Sequence, residues 1–247
     1  MIHGFNGSKD NWLSLAYELG DKYHIIIPDL IGNGASSKPK NISYSIDEQT
    51  RLLHSFLKKL HLKRTILIAN SMGGAISLNY VYMYKHINIL ILIDSLGIKS
   101  EDSYVDKMGV EKIRESWLHV CTPQKLQALI AQGIEDPPYI PNSILTYLSE
   151  EKCLSSDFEE KKCYDILDKK LNPLDDLTQK AKDIKIPTLI IWGKKDKILS
   201  YKNSYAFHST IEESELVILE NIGHVPMIED ASQVSSKIVN FLNKHQK

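Results

Sequence analysis

The sequence predicts an α/β fold built on a mostly parallel sheet, and three observations carry the prediction. First, the short runs Ile25–Ile27, Thr65–Ile68, Ile89–Ile93, Thr188–Trp192 and Glu215–Leu219 are rich in β-branched residues and almost continuously apolar. Strands covered by helices on both faces read this way, whereas half-solvated strands alternate apolar with polar. Second, segments of helical period lie between these runs, and alternation of strand with helix is the pattern of a parallel sheet wrapped by helices. Third, the alternation lapses between about Gly97 and Asp183, where helix-like stretches follow one another without a strand.

In chain order, only Met1 and Ile2 precede the loop motif His3-Gly4-Phe5, and Ile25–Ile27 is the first full run. Ile46–Leu60 places Ile46, Leu52, Leu53, Phe56, Leu57 and Leu60 on one helical face, with Ser45 as the N-cap. Gly74–Tyr84 and Val234–Leu242 show similar patterns after the runs Thr65–Ile68 and Glu215–Leu219. The insertion reads as the helical pieces Val110–Val120, Gln124–Gln132, Asn142–Leu148 and Phe158–Leu171, punctuated by Asp136-Pro137-Pro138 and Pro141. The expected organisation is a core made of residues 1–97 and 183–247, interrupted by a helical lid at 98–182.

Composition narrows the function. The chain has 247 residues and 30 Lys+Arg against 31 Asp+Glu, a formal net charge of −1. A nucleic-acid partner is therefore not expected, because phosphate contacts require a basic surface. Only Arg51, Arg64 and Arg114 could form bidentate clamps on phosphate or carboxylate. No apolar run is long enough to span a membrane. Cys121, Cys153 and Cys163 are odd in number and lack metal-ligand spacing, which is read as free thiols in a reducing compartment.

The chemistry is carried by Thr65-Ile-Leu-Ile-Ala69-Asn70-Ser71-Met72-Gly73-Gly74. A buried strand runs into a small-x-Ser-x-Gly turn and then at once into a helix, a sharp turn that lifts a hydroxyl above the sheet's C-terminal edge. Position −2 is Ala69 where glycine is usual. Serine is a poor nucleophile without a base, so a histidine oriented by a carboxylate should follow. Asp196 lies just after the run Thr188–Trp192, and His224 follows Glu215–Leu219 on the loop Asn221-Ile-Gly223-His224-Val-Pro226. Ser71, Asp196, His224 is the chain order expected of such a triad. Two carboxylates compete with Asp196: Asp94, which ends Ile89–Ile93, and Asp29, whose place in Pro28-Asp29-Leu-Ile-Gly32-Asn-Gly34 suits a turn anchor better. The developing oxyanion needs two backbone N–H donors, for which Phe5 and Met72 are the candidates. His3 reads as a loop residue and not as a proton carrier.

These residues resemble the α/β-hydrolase superfamily, within it the branch of monoacylglycerol lipases and bacterial lipases and esterases. The matching blocks are His3-Gly-Phe-Asn-Gly-Ser-Lys-Asp-Asn-Trp12, Pro28-Asp-Leu-Ile-Gly-Asn-Gly34, Asn70-Ser-Met-Gly-Gly74, Pro187-Thr-Leu-Ile-Ile-Trp-Gly193 with Asp196, and Asn221-Ile-Gly-His-Val-Pro226. The resemblance implies an α/β-hydrolase fold, Ser71 as nucleophile, Asp196 as acid, His224 as base, Phe5 and Met72 as oxyanion donors, and neither cofactor nor metal. It implies a small lipophilic ester as substrate and leaves membrane contact open to the lid or to residues upstream.

Two rival readings stand beside this one. The Asn-Ser-Met-Gly-Gly elbow also fits the C–C hydrolases of aromatic ring-fission products, but those usually carry tryptophan after the histidine and an arginine in the lid. Here Val225 follows the histidine and Arg114 is the lid's only arginine. The other rival is a ligand-binding descendant without catalysis, which an intact triad disfavours. Relatives with an aspartate nucleophile are disfavoured by Ser71. The resemblance finally suggests that the strand before His3 is truncated and that upstream residues complete the sheet. A leader or anchor could lie there, so a cytoplasmic location is only the default.

Overall fold

A computed structural model describes residues 1–98, 114–167 and 174–245. Strands β1 (Ile66–Asn70), β2 (Ile89–Ile93), β3 (Thr188–Gly193) and β4 (Ser214–Leu219) form one sheet in that order, with every pair parallel. The register pairs Asn70 with Ile93 and Gly193 with Leu219. Because all four strands run the same way, the loops that follow them open at a single edge, where ligands of open α/β sheets bind.

Four of the five expected strands are present. Ile25–Ile27 is not a strand. A strand needs consecutive ladder bonds, and the segment beside it offers few. Ile2 bridges Ala69 alone, through Ile2 N–H to Ile68 O (2.8 Å) and Asn70 N–H to Ile2 O (3.1 Å). Toward the Ile25–Ile27 run, the Met1 amine donates to Ile26 O at 2.7 Å.

Side-chain alternation along the strands divides the core into two layers. Ile68, Ile89, Ile91, Ile93 and Ile191 pack against α1 (Leu13–Leu19) and the C-terminal α10 (Ala231–His245). Leu67, Ala69, Leu90, Leu92 and Ile190 face the other layer, made of α2 (Ile46–Lys59), α3 (Met72–Tyr84) and α8 (Asn203–Thr210). Ser45 caps α2 as expected, its Oγ accepting from Glu48 N–H at 3.3 Å. Helix α3 is buried from Met72 to Val81, so it shows no amphipathic stripe.

Between β2 and β3 the elements among the described residues are all helical: a π turn at Arg114–Leu118, then α4 (Pro123–Gly133), α5 (Asn142–Leu154), α6 (Ser156–Leu167) and α7 (Leu174–Lys182). Parts of the expected pieces Val110–Val120 and Phe158–Leu171 lie outside the described residues. The Thr122 hydroxyl caps α4 by accepting from Lys125 N–H, and Pro123 supplies the fixed φ suited to a first turn. Val120, Leu126 and Leu145 form a small core of their own, while Ile144, Tyr147 and Leu148 stay exposed. Helix α7 belongs to neither group. It packs against α3 and places Leu177 and Ala181 in the main core.

The reading of three free cysteines is overturned. Cys121 and Cys153 form a disulfide with their Cα atoms 4.7 Å apart, and only Cys163 is a free, buried thiol. The two partners are 32 residues apart in sequence, and it is the antiparallel return of α5 on α4 that brings them together. Spacing alone carries no such signal.

Candidate active site

Ser71 stands between β1 and α3 with φ 53° and ψ −123°, a conformation that costs a non-glycine residue about 1–3 kcal/mol. The turn is held from both sides. Ser71 N–H reaches Ile93 O and Asp94 O (both 3.1 Å), and Ser71 O accepts from Gly74 N–H and Leu96 N–H (both 2.9 Å). The glycine pair that follows is required by close approach. A Cβ on Gly73 would lie 2.6 Å from the carbonyl oxygens of Ile2 and His3, and one on Gly74 would collide with Ser95 Oγ. Ala69 at position −2 is fully buried in the core layer and is accommodated there.

Asp196 and His224 meet from the loops after β3 and β4. The Asp196 Oδ2–His224 Nδ1 distance is 2.7 Å, and both side chains are nearly buried. The other carboxylate oxygen accepts from Ile198 N–H (2.7 Å) and Leu199 N–H (2.8 Å), which fixes the acid's plane. With Nδ1–H committed to Asp196, Nε2 is the nitrogen left to take a proton. Asn70 ties this loop to the nucleophile strand, its amide donating to Ile93 O and His224 O, both at 3.1 Å.

The competing carboxylates fall elsewhere. Asp94 accepts from Gly193 N–H at 2.9 Å, and its second oxygen has no protein partner among the described residues. It lies close under the pair, with side-chain donor atoms of Asp94, Asp196 and His224 all within 4.8 Å. Complete burial, followed by the charge of Asp196, holds the Asp94 carboxyl well above the usual carboxylate range. Asp196, not Asp94, faces the imidazole. Asp29 anchors a turn, accepting from Lys9 N–H (2.7 Å), Lys9 Nζ (3.0 Å) and Ala35 N–H (3.0 Å).

The loop His3–Phe5 runs alongside the serine, since a Cβ on Gly4 would sit 2.9 Å from Ser71 Cβ. Among the described residues, neither Phe5 N–H nor Met72 N–H donates to a protein oxygen, which leaves both free for a ligand. His3 is buried and fully used: Nε2 accepts from Leu30 N–H (3.0 Å) and Nδ1 donates to Gly4 O (2.8 Å). Burial lowers its pKa, so it remains a neutral brace for the loop.

The insertion also touches this loop, through residues the sequence did not mark. Lys162 is 2% exposed, and its Nζ contacts Glu159 (2.7 Å), Asn33 Oδ1 (2.8 Å) and Gly32 O (3.0 Å), with the Phe5 ring 5.8 Å away. Desolvation lowers the Lys162 pKa, and Glu159 opposes that. The amide of Asn6, beside Phe5, bonds Glu159 and Lys152, while Phe5, like Trp117, packs against the pair Leu118 and Cys163. A buried lysine looks like a solvated one in a helical pattern, and only Asn70, inside the elbow itself, had a sequence signal. A cavity of about 410 Å³ lined by Ile2, Ile25, Thr65 and Leu242 lies at the opposite ends of the strands and holds none of the site residues.

A parallel sheet with serine, aspartate and histidine on the loops after β1, β3 and β4 defines an α/β hydrolase. The alpha/beta hydrolase fold family matches residues 1–118 and 115–231, and the chain belongs to it. It is 33% identical to "Lipase 1" of Psychrobacter immobilis over 246 residues, which is 98% of this chain and 75% of that protein. Human "Monoacylglycerol lipase ABHD6" is 27% identical over 251 residues, 98% of this chain and 74% of its own length. The solved structure of a membrane phospholipase A, described as a bacterial virulence factor, superposes with a TM-score of 0.90 at 29% identity, covering 100% of this chain and 78% of that one. A meta-cleavage product hydrolase, at 20% identity and TM-score 0.82, shares the fold.

Proposed function

We propose that this hydrolase cleaves lipophilic carboxylic esters through an acyl-enzyme on Ser71. The observation that carries the reading is the 2.7 Å Asp196–His224 pair, tied through Asn70 to the strand that ends at the strained Ser71 turn. His224 Nε2 takes the Ser71 proton as the hydroxyl oxygen attacks the ester carbonyl, and Asp196 stabilises the imidazolium. The carbonyl oxygen, now negative, draws on Phe5 N–H and Met72 N–H. His224 then protonates the leaving alcohol, and the same base activates water to release the acid. No step calls for a metal or cofactor.

Residues 98–182 are read as a lid, with α7 as its footing on the core. Lipase relatives at about a third identity support a lipophilic substrate, as do Val225 after the histidine and the single arginine, Arg114, in the lid. Ile144, Tyr147 and Leu148 give the lid an exposed apolar face suited to contact with a lipid surface. The test is a nitrophenyl-ester series from acetate to palmitate, run beside a monoacylglycerol and a vinylogous 1,5-diketo acid. Each methylene buried contributes up to about 0.8 kcal/mol until the pocket is full, so kcat/KM should rise from acetate toward medium chains. A preference for acetate overturns the substrate class, and faster cleavage of the diketo acid moves the chain to the C–C hydrolases.

A further inference from the structure

The short helix α9 (Pro226–Glu229) ends in a carboxylate that the triad does not use. Glu229 gathers backbone amides from both sides of the base and from the insertion. Its oxygens accept from Gly223 N–H (3.0 Å to each), Val225 N–H (3.3 Å) and Glu135 N–H (2.9 Å). Between the first two lies His224, whose own N–H donates to Gly133 O at 2.8 Å. The segment 133–135 at the end of α4 is therefore bonded to the base loop in both directions. Packing leaves little tolerance, since a Cβ on Gly223 would lie 2.8 Å from Gly133 O and 3.0 Å from Glu229 Oε1. The acid's loop joins the same segment, Lys197 pairing with Glu135 at 2.7 Å.

A carboxylate that accepts from several amides is a charge-assisted hub, stronger than the neutral bonds it replaces. It fixes the backbone immediately before and after one residue, and so sets the direction in which that residue's imidazole projects. Building on the hydrolase reading above, we propose that Glu229 is a positioning residue for His224, one that locks the base loop and the end of α4 into a single unit. The loop's grip on the insertion and the aim of the imidazole are then a single property. Nothing in the reaction passes through Glu229 itself.

The experiment compares Glu229→Gln and Glu229→Ala with the wild type in nitrophenyl-ester kinetics, counting competent sites by fluorophosphonate titration. The glutamine keeps one acceptor oxygen but turns an NH₂ group toward amide donors, while the alanine removes the hub. A misdirected base lowers turnover without weakening ester binding. The expected result is a kcat per titrated site down by about 10-fold in Glu229→Gln and about 100-fold in Glu229→Ala, with KM nearly unchanged. Wild-type kcat per titrated site in Glu229→Gln overturns the proposal, because any lost activity is then lost folded protein. A change confined to KM overturns it as well. A wild-type chain that takes no fluorophosphonate removes the hydrolase reading, and this inference with it.

Discussion

The two halves of the site are built in different ways. On one side, Asp196 and His224 sit on loops that leave β3 and β4: Ile198 and Leu199 N–H hold the carboxylate, the Asn70 side-chain amide holds the His224 carbonyl, and His224 N–H meets the insertion at Gly133 O. On the oxyanion side, the His3–Phe5 loop has the core behind it through His3 and Leu30, but in front it meets buried charges from the insertion, Glu159 and Lys162. The first half meets the insertion through backbone bonds at the end of α4. The second meets it through the buried charges of α6, and the insertion itself carries a small apolar cluster and a disulfide. The difference is one of contact chemistry: backbone hydrogen bonds on the Asp196–His224 side, a buried lysine and glutamate beside Phe5 on the other.

The largest effect separates the halves by chemistry. Ser71→Ala and His224→Ala should each lower kcat by about 10⁴–10⁶ with cooperative melting retained, Ser71→Ala close to the wild-type melting temperature. Asp196→Asn should cost far more than Asp94→Asn in the same assay. Asp94 makes no hydrogen bond to the imidazole, burial pushes its carboxyl pKa up, and an amide reproduces most of its shape. Equal losses would move part of the acid's role to Asp94.

The next test falls on the oxyanion side. Lys162→Met leaves Glu159, Asn33 and Gly32 without their cation in a buried setting. Removal of one partner of a buried pair costs about 3–5 kcal/mol, measurable by urea unfolding. A loss under 1 kcal/mol would show that the insertion does not brace the loop. Smaller again is the disulfide. Opening the 32-residue loop in Cys121→Ser/Cys153→Ser should cost about 3–4 kcal/mol on the chain-entropy estimate, confined to the insertion. Thiol titration of the denatured, unreduced protein should count one thiol, and three after reduction.

Legibility in the sequence followed the same division. Four of the strands and the Ser45 cap could be read because buried parallel strands leave continuous apolar runs, and the loops at their C-terminal ends are where Ser71, Asp196 and His224 were expected. Ile25–Ile27 carried the same composition without ladder partners and did not become a strand. In the insertion, helical pieces were legible by period, but their mutual packing was not. Nothing in the spacing of Cys121 and Cys153, nor in the helical setting of Lys162, tells a solvated side chain from a buried one. The choice between Asp94 and Asp196 likewise needed the fold, since both end a buried strand and only their distance to the imidazole decides.

The most direct measurement of the central claim is the site of covalent capture. The protein is treated with a fluorophosphonate, digested, and mapped by mass spectrometry beside Ser71→Ala. One adduct per chain is expected, on the peptide that contains Ser71, and none in the variant. An adduct on another residue, or equal labelling of Ser71→Ala, would contradict it.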